Sequence, residues 1–210
     1  MSSSRLPGEG IFIAVTGPSG SGKTSVCKAL LAMFPRLRFS VSLTTRPRRP
    51  AEVDGEDYHF VSEAEFRERI RRGDLIEWAE NYGQLYGTSR EAMEEALKGH
   101  DLLLDVDTRG ARALKKACPG GIFVFIVPPS IGELERRLRG RGSETEETIR
   151  RRFDNALREI REIVWYDYII VNDELDAAID RLRAVYLAAA CRRERMMEKI
   201  KPFFDRSGGM

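Results

Sequence analysis

The sequence is short of the residues that mark several protein classes. Of 210 residues, only three are cysteines and two are histidines. Cys27, Cys118 and Cys191 form no C-x-x-C pair and no even set. A disulfide framework is therefore not expected, and a reducing cytoplasm is the natural setting. His59 and His100 stand far apart, which argues against a zinc site. Long apolar runs are missing too. Ile11–Val15, Leu102–Leu104 and Ile122–Pro129 fall well short of the ~20 residues that span a bilayer. Residues 1–10 are rich in Ser and Gly and read as a frayed tail, not a signal peptide; residues 206–210 read as a second tail. Net charge is only +2, so no overall field draws nucleic acid or an anionic membrane. There is no internal repeat and no low-complexity segment.

What remains is an ordinary globular balance, 42% apolar and 32% charged, in a chain long enough for one α/β domain with inserted lobes. Ile11–Thr16 is a β-branched run that ends in a Gly-rich loop. Lys23–Met33 follows as a helix, with Val26, Leu30 and Met33 on one face, and Pro35 closes it. Phe39–Thr45 reads as another strand, leading into the basic turn Arg46-Pro47-Arg48-Arg49-Pro50. Ser62 and Glu65 form a capping box for a helix that Gly73 stops; Thr88 and Glu91 form another, for a helix ending near Gly99. Leu102–Val106 and Ile122–Val127 read as buried strands, and Tyr168–Val171 as a last strand. Residues 109–117 and 130–162 read as helical, the latter broken at Gly140-Arg141-Gly142, and a long helix starts near Leu175. Met196, Met197, Ile200, Phe203 and Phe204 on that helix are expected on the chain's own core, with another subunit as the alternative. Strands alternating with helices predict a parallel sheet with helices on both faces.

Gly17-Pro18-Ser19-Gly20-Ser21-Gly22-Lys23-Thr24 fits G-x-x-x-x-G-K-[ST] without a gap. Glycines let successive backbone N–H groups curl inward around phosphate oxygens, and the following helix N-terminus adds partial positive charge. Lys23 would reach the β- and γ-phosphates, and the Thr24 hydroxyl would face Mg²⁺. A strand–loop–helix corner that is merely Gly-rich is the plain alternative. Asp105, at a strand end, is the candidate second Mg²⁺ element, through water; the alternative is that Asp105 and Asp107 only cap local turns.

Three arginines beside the hydroxyl-rich stretch Ser42–Thr45 suit bidentate phosphate binding. Tyr58 and Tyr86 offer phenolic hydrogen bonds, and Glu77 lies between apolar neighbours. Taken singly, each has a plain reading: a solvated basic turn, half-buried aromatics, a surface strand residue. Taken in order, the pieces resemble the guanylate kinases. They are the phosphate loop, Ser42-Leu43-Thr44-Thr45-Arg46 with Arg49, Asp57-Tyr58-His59-Phe60, Ile76-Glu77-Trp78, Tyr86-Gly87-Thr88, Leu104-Asp105-Val106-Asp107, the Gly140-Arg141-Gly142 region and Ile170-Val171-Asn172-Asp173.

The resemblance implies a P-loop kinase fold: a central parallel sheet flanked by helices, with an inserted GMP-binding lobe at 41–88 and a helical lid at 130–162. The core would be 11–40, 89–129 and 163–205. It implies transfer of the γ-phosphoryl group of ATP to GMP, and to dGMP as well. Arg46, Arg49, Tyr58 and Tyr86 would hold the GMP phosphate. Ser42, Glu77 and Thr88 would read guanine, with Asp107 nearby. Guanine offers N1–H and N2–H₂ on one edge, which one carboxylate accepts together; adenine has no such donor pair and would leave Glu77 unpaired. Arg137, Arg141 and Arg152 would close over ATP, and Asn172 would lie on its adenine side. The partners implied are ATP and GMP, with no nucleic acid or membrane, in a monomer or homo-oligomer. Two alternatives stand beside this: a non-catalytic scaffold of the same fold that binds phosphopeptides, and a P-loop kinase for another monophosphate or alcohol.

Overall fold

The computed structural model describes residues 10–81, 83–140 and 145–205. Its frame is a five-stranded parallel sheet in the order β2-β7-β1-β8-β9, built from β1 (Phe12–Thr16), β2 (Leu37–Phe39), β7 (Asp101–Asp105), β8 (Ile122–Val127) and β9 (Tyr168–Val171). Alternate side chains of these strands serve two cores. Ile13, Val15, Leu103, Val124 and Ile126 pack under α1 (Lys23–Met33) and α7 (Leu175–Ala190). Phe12, Ala14, Leu102, Leu104, Phe123 and Phe125 pack on the other face with Met93 and Leu97 of α3 (Arg90–Leu97) and Leu114 of α4 (Thr108–Ala117). The three central strands, β7, β1 and β8, are covered on both faces, which is why their sequences are dominated by apolar runs, while the edge strands β2 and β9 keep exposed side chains.

Between β2 and α3 the chain builds a second sheet, in the order β4-β3-β6-β5, from β3 (Leu43–Thr44), β4 (His59–Phe60), β5 (Leu75–Asn81) and β6 (Gln84–Ser89). Phe66 of α2 (Glu63–Arg72) fills its small core with Leu43, Leu75 and Leu85. Helices α5 (Ile131–Arg139) and α6 (Glu146–Arg161) pack on each other through Leu134, Leu138, Ile149 and Ala156.

The Ser62 cap and the Gly73 stop of α2 are present, with Gly73 at φ 74°. Other sequence expectations need correction. The run Phe39–Thr45 is two strands in two sheets, because the chain leaves the parallel sheet after Phe39 and Leu43 turns into the lobe's own core. The cap of α3 is Ser89, which accepts from Ala92 N–H; the Thr88 hydroxyl is instead buried against Glu77. Met33, expected on the buried face of α1 with Val26 and Leu30, is exposed; Leu31 and Phe34 pack against the core beside it. The helix from Leu175 is two helices, α7 and α8 (Arg193–Asp205), separated at Cys191-Arg192. Met197, Phe203 and Phe204 on α8 face outward.

Candidate active site

The C-terminal ends of the parallel strands face the second sheet and α6 across a cleft of about 430 Å³. Open α/β sheets bind ligands at this edge. Its floor is the loop between β1 and α1. Gly20 and Gly22 take φ values of 89° and 82°, the left-handed region that side-chain-bearing residues avoid. Gly22 is doubly constrained, because a Cβ there would sit 2.2 Å from Asn172 Nδ2. Asn172 is buried and its Nδ2 donates to the Ser21 carbonyl at 2.7 Å. Its backbone carbonyl accepts from Arg137 Nη2 at 3.1 Å, and Arg137 Nε also donates to Glu133 at 2.6 Å. One side chain after β9 thus braces the glycine loop from below and meets an arginine of α5.

Lys23 Nζ donates to Asp105, the last residue of β7. Burial alone would push the Lys23 amine down; the carboxylate more than offsets this and the net direction is up. Asp107, two residues on, accepts from Gly110 N–H at 2.8 Å and caps α4. The capping alternative is therefore what Asp107 does here, while Asp105 pairs with the lysine. From above, Arg152 of α6 donates to Ser19 Oγ in the loop.

The opposite wall comes from the second sheet. A bulge in β5 makes Ile76 the extra residue against β6, so Leu75 packs in the lobe, Ile76 in the main core, and Glu77 turns toward the cleft. Glu77 is 6% exposed. Its Oε1 accepts from Thr88 Oγ1 at 2.7 Å, and a Cβ on Gly110 would lie 2.7 Å from its Oε2. Glycine at 110 is what lets this carboxyl rest against the first turn of α4. Burial pushes the Glu77 carboxyl up to about 7, eased by Thr88 and reinforced by Asp107. Ser42, Tyr58 and Tyr86 line the same wall, the two tyrosine rings 6.0 Å apart. The Arg46 guanidinium lies 5.4 Å from the Tyr58 ring centroid.

The cleft lining therefore unites Gly17 to Thr24, Ser42, Tyr58, Glu77, Tyr86, Asp105, Asp107 and Arg152. Thr88 sits behind Glu77, and Arg46 behind the tyrosines. Arg49 is exposed, and Arg137 and Asn172 stand behind the glycine loop, off the lining. Arg141 lies outside the described residues. Sequence reasoning missed Glu159 of α6, which lines the cleft near Lys23 and whose carboxyl burial pushes up to about 7. Its one signal is its place on the inward face of α6, three residues after the buried Ala156.

Comparison with known proteins identifies the family and agrees with the fold. The family model described as guanylate kinase matches residues 11–189. The guanylate kinase of Syntrophotalea carbinolica is 50% identical over 197 residues, 93% of this chain and 94% of the relative. That of Geobacter metallireducens is 49% identical over 198 residues, 94% of this chain and 98% of the relative. The crystal structure of guanylate kinase from Anaplasma phagocytophilum superposes with a TM-score of 0.72 at 31% identity, covering 94% of this chain and 98% of that one. By sequence and by fold this chain belongs to the guanylate kinase family, the enzymes that move a phosphoryl group from ATP to GMP.

Proposed function

We propose that the reaction runs across the cleft, with the triphosphate on the glycine loop and GMP on the second sheet. The observation that carries this is the buried Glu77 carboxyl facing the same cleft as Lys23. A carboxyl at that depth needs a partner with paired donors, and the N1–H/N2–H₂ edge of guanine supplies them. Ser42 and Thr88 complete the base pocket, with Asp107 at its edge. Arg46, Tyr58 and Tyr86 receive the acceptor phosphate, with Arg49 reaching in from the rim.

On the donor side the loop N–H groups and Lys23 hold the triphosphate. Lys23 leaves Asp105 to do so, which frees that carboxylate. The Thr24 hydroxyl and Asp105 are hard oxygen donors, the set that suits Mg²⁺ held mainly by substrate phosphates and water. The ion, when bound, neutralises charge on the β- and γ-phosphates. Arg152, already bonded to the loop at Ser19, adds positive charge from the α5–α6 lid, and Arg137 stands on α5 of the same lid; Arg141, by resemblance a third such arginine, lies outside the described residues. Asn172 supports this side. The acceptor phosphate is itself an anionic nucleophile, so alignment and charge neutralisation replace a general base.

The test is ADP release with GMP or AMP as acceptor, for the wild type and Lys23→Ala. GMP should be preferred by ~10² or more, because AMP leaves Glu77 unpaired. Lys23→Ala should lower turnover by at least ~10². Equal use of AMP would overturn the base reading, and near-normal turnover of the variant would overturn the donor reading.

A further inference from the structure

Glu52 escapes notice in the sequence, yet it is bonded to every arginine of the basic turn. Its Oε1 accepts from Arg46 Nη2 at 2.7 Å and its Oε2 from Arg46 Nη1 at 3.0 Å. Oε2 also accepts from the backbone N–H of Arg49 at 2.8 Å. The Glu52 carbonyl accepts from Arg48 Nη1 at 2.9 Å, and its N–H donates to the Arg49 carbonyl at 3.1 Å. The two paired side chains are only 15% and 16% exposed, so this is not a solvated surface pair.

Counting donors gives the pair a direction. A guanidinium has five N–H groups in a rigid fork. In Arg46, Glu52 takes two and the Pro47 carbonyl takes a third at 2.9 Å. Those three bonds use the end and one flank of the plane. The side-on fork, Nε–H with the second Nη2–H, is not used by any of them. Tyr86 stands within hydrogen-bonding reach of the same guanidinium, and the Tyr58 ring flanks it.

We propose that Glu52 is a positioning residue for the acceptor phosphate: it clamps Arg46 and the Arg49 backbone so that the side-on edge of the Arg46 guanidinium meets the GMP phosphate beside Tyr58 and Tyr86. The inference rests on the reading of Arg46 as an acceptor-phosphate residue. Its sign separates it from simple electrostatics. Neutralising a carboxylate near a bound dianion should tighten the anion by Coulomb's law. Losing an oriented fork should loosen it. A carboxylate that merely stood in for the phosphate, and was displaced by GMP, would also give tighter binding when removed.

The experiment compares wild type, Glu52→Ala, Glu52→Gln, Arg46→Ala and the Arg46→Ala/Glu52→Ala pair by steady-state kinetics and melting. Glu52→Ala should raise the GMP KM about tenfold, with kcat at saturating GMP and the ATP KM within about twofold. Glu52→Gln keeps one acceptor oxygen and should fall between. In the Arg46→Ala background most of the Glu52 effect should be lost, because it acts chiefly through that guanidinium and only the smaller hold on the Arg49 backbone remains. An unchanged or lower GMP KM in either Glu52 variant overturns the proposal, as does a full Glu52 effect without Arg46. The isosteric Glu52→Gln decides if Glu52→Ala melts early. If Arg46→Ala itself leaves the GMP KM unchanged, the underlying reading of Arg46 fails; if it raises the KM and Glu52 changes nothing, only the clamp fails.

Discussion

At the scale of single residues, Glu77 is where burial and chemistry meet. Burial pushes its carboxyl up to about 7 in the folded protein, against 4.5 in an open chain. Below pH ~4.5 both states hold the proton. Between there and about 7 the unfolded chain sheds a proton that the folded chain keeps, so stability falls as pH rises through this window. Above it the ionised, buried carboxylate leaves the ligand-free protein about 3 kcal/mol less stable than an ordinary carboxyl would. Glu77→Gln should remove this carboxyl's share of the slope and leave the share of Glu159, which burial also raises to about 7; melting from pH 4.5 to 8 would reveal the difference. Guanine reverses the preference, because its paired donors need the ionised form. GMP binding near pH 6.5 should therefore release a proton from Glu77, and GMP affinity should climb with pH up to about 7. Calorimetry in buffers of different ionisation enthalpy measures the release. The GMP phosphate titrates near ~6 and contributes too, so the difference between wild type and Glu77→Gln is the quantity that matters. No difference would remove this carboxyl from base recognition.

At the scale of elements, the glycine loop depends on a strand distant in sequence. Asn172, just past β9, satisfies the Ser21 carbonyl from below. Asn172→Ala would leave that buried carbonyl unpaired, a cost of roughly 1–3 kcal/mol. The ATP KM should rise about tenfold with the GMP KM nearly unchanged, since only the loop is loosened. Asn172→Asp should be worse than Ala, because it sets an acceptor against an acceptor. Should the loss vanish with a triphosphate donor of another base, contact with adenine would be the cause instead. The sequence made half of this arrangement readable. The loop itself is contiguous, and its residue types follow from what a phosphate needs. Strands β8 and β9 were equally plain, being apolar runs between turn residues. The brace was not, because an Asn after a strand says nothing about which carbonyl it will reach. The same limit explains the misreadings. Phe39–Thr45 is one run to the eye, but its two halves face different cores. Thr88 has the right spacing for a helix cap, but the buried carboxyl opposite it on the neighbouring strand claims its hydroxyl. The bulge at Ile76 aims Glu77 and leaves no mark in composition; Glu77 was legible only through the ordered resemblance.

At the scale of the whole molecule, β7 joins two tasks at its two ends. Asp105 closes the strand at the cleft; Asp101 opens it ~13 Å away, at the opposite edge of the sheet. Asp101 is fully buried and its charge is met from several directions. It accepts from Ile11 N–H at 3.0 Å, from Tyr186 Oη at 2.8 Å, and from Arg195 Nη1 and Nη2 at 2.8 and 3.1 Å. Arg195 belongs to α8, so this polar fork ties that helix to the sheet beside its half-buried Met196 and Ile200, while Phe203 and Phe204 are exposed. A buried ion pair need not add much net stability, but removing one partner strands the other. Arg195→Ala should therefore cost about 3 kcal/mol, or roughly 10 °C in Tm, even though Tyr186, Ile11 and the Arg36 guanidinium, 3.8 Å away, remain. The KM values for both nucleotides should stay within about twofold at 25 °C, because the strand separates this cluster from the cleft. Asp101→Asn with Arg195→Met, which removes both charges, should recover part of the loss. A normal melting point for Arg195→Ala would mean that α8 is held elsewhere. A change in the GMP KM alone would mean that β7 transmits strain along its length, and that the two ends are not the independent sites the geometry makes them.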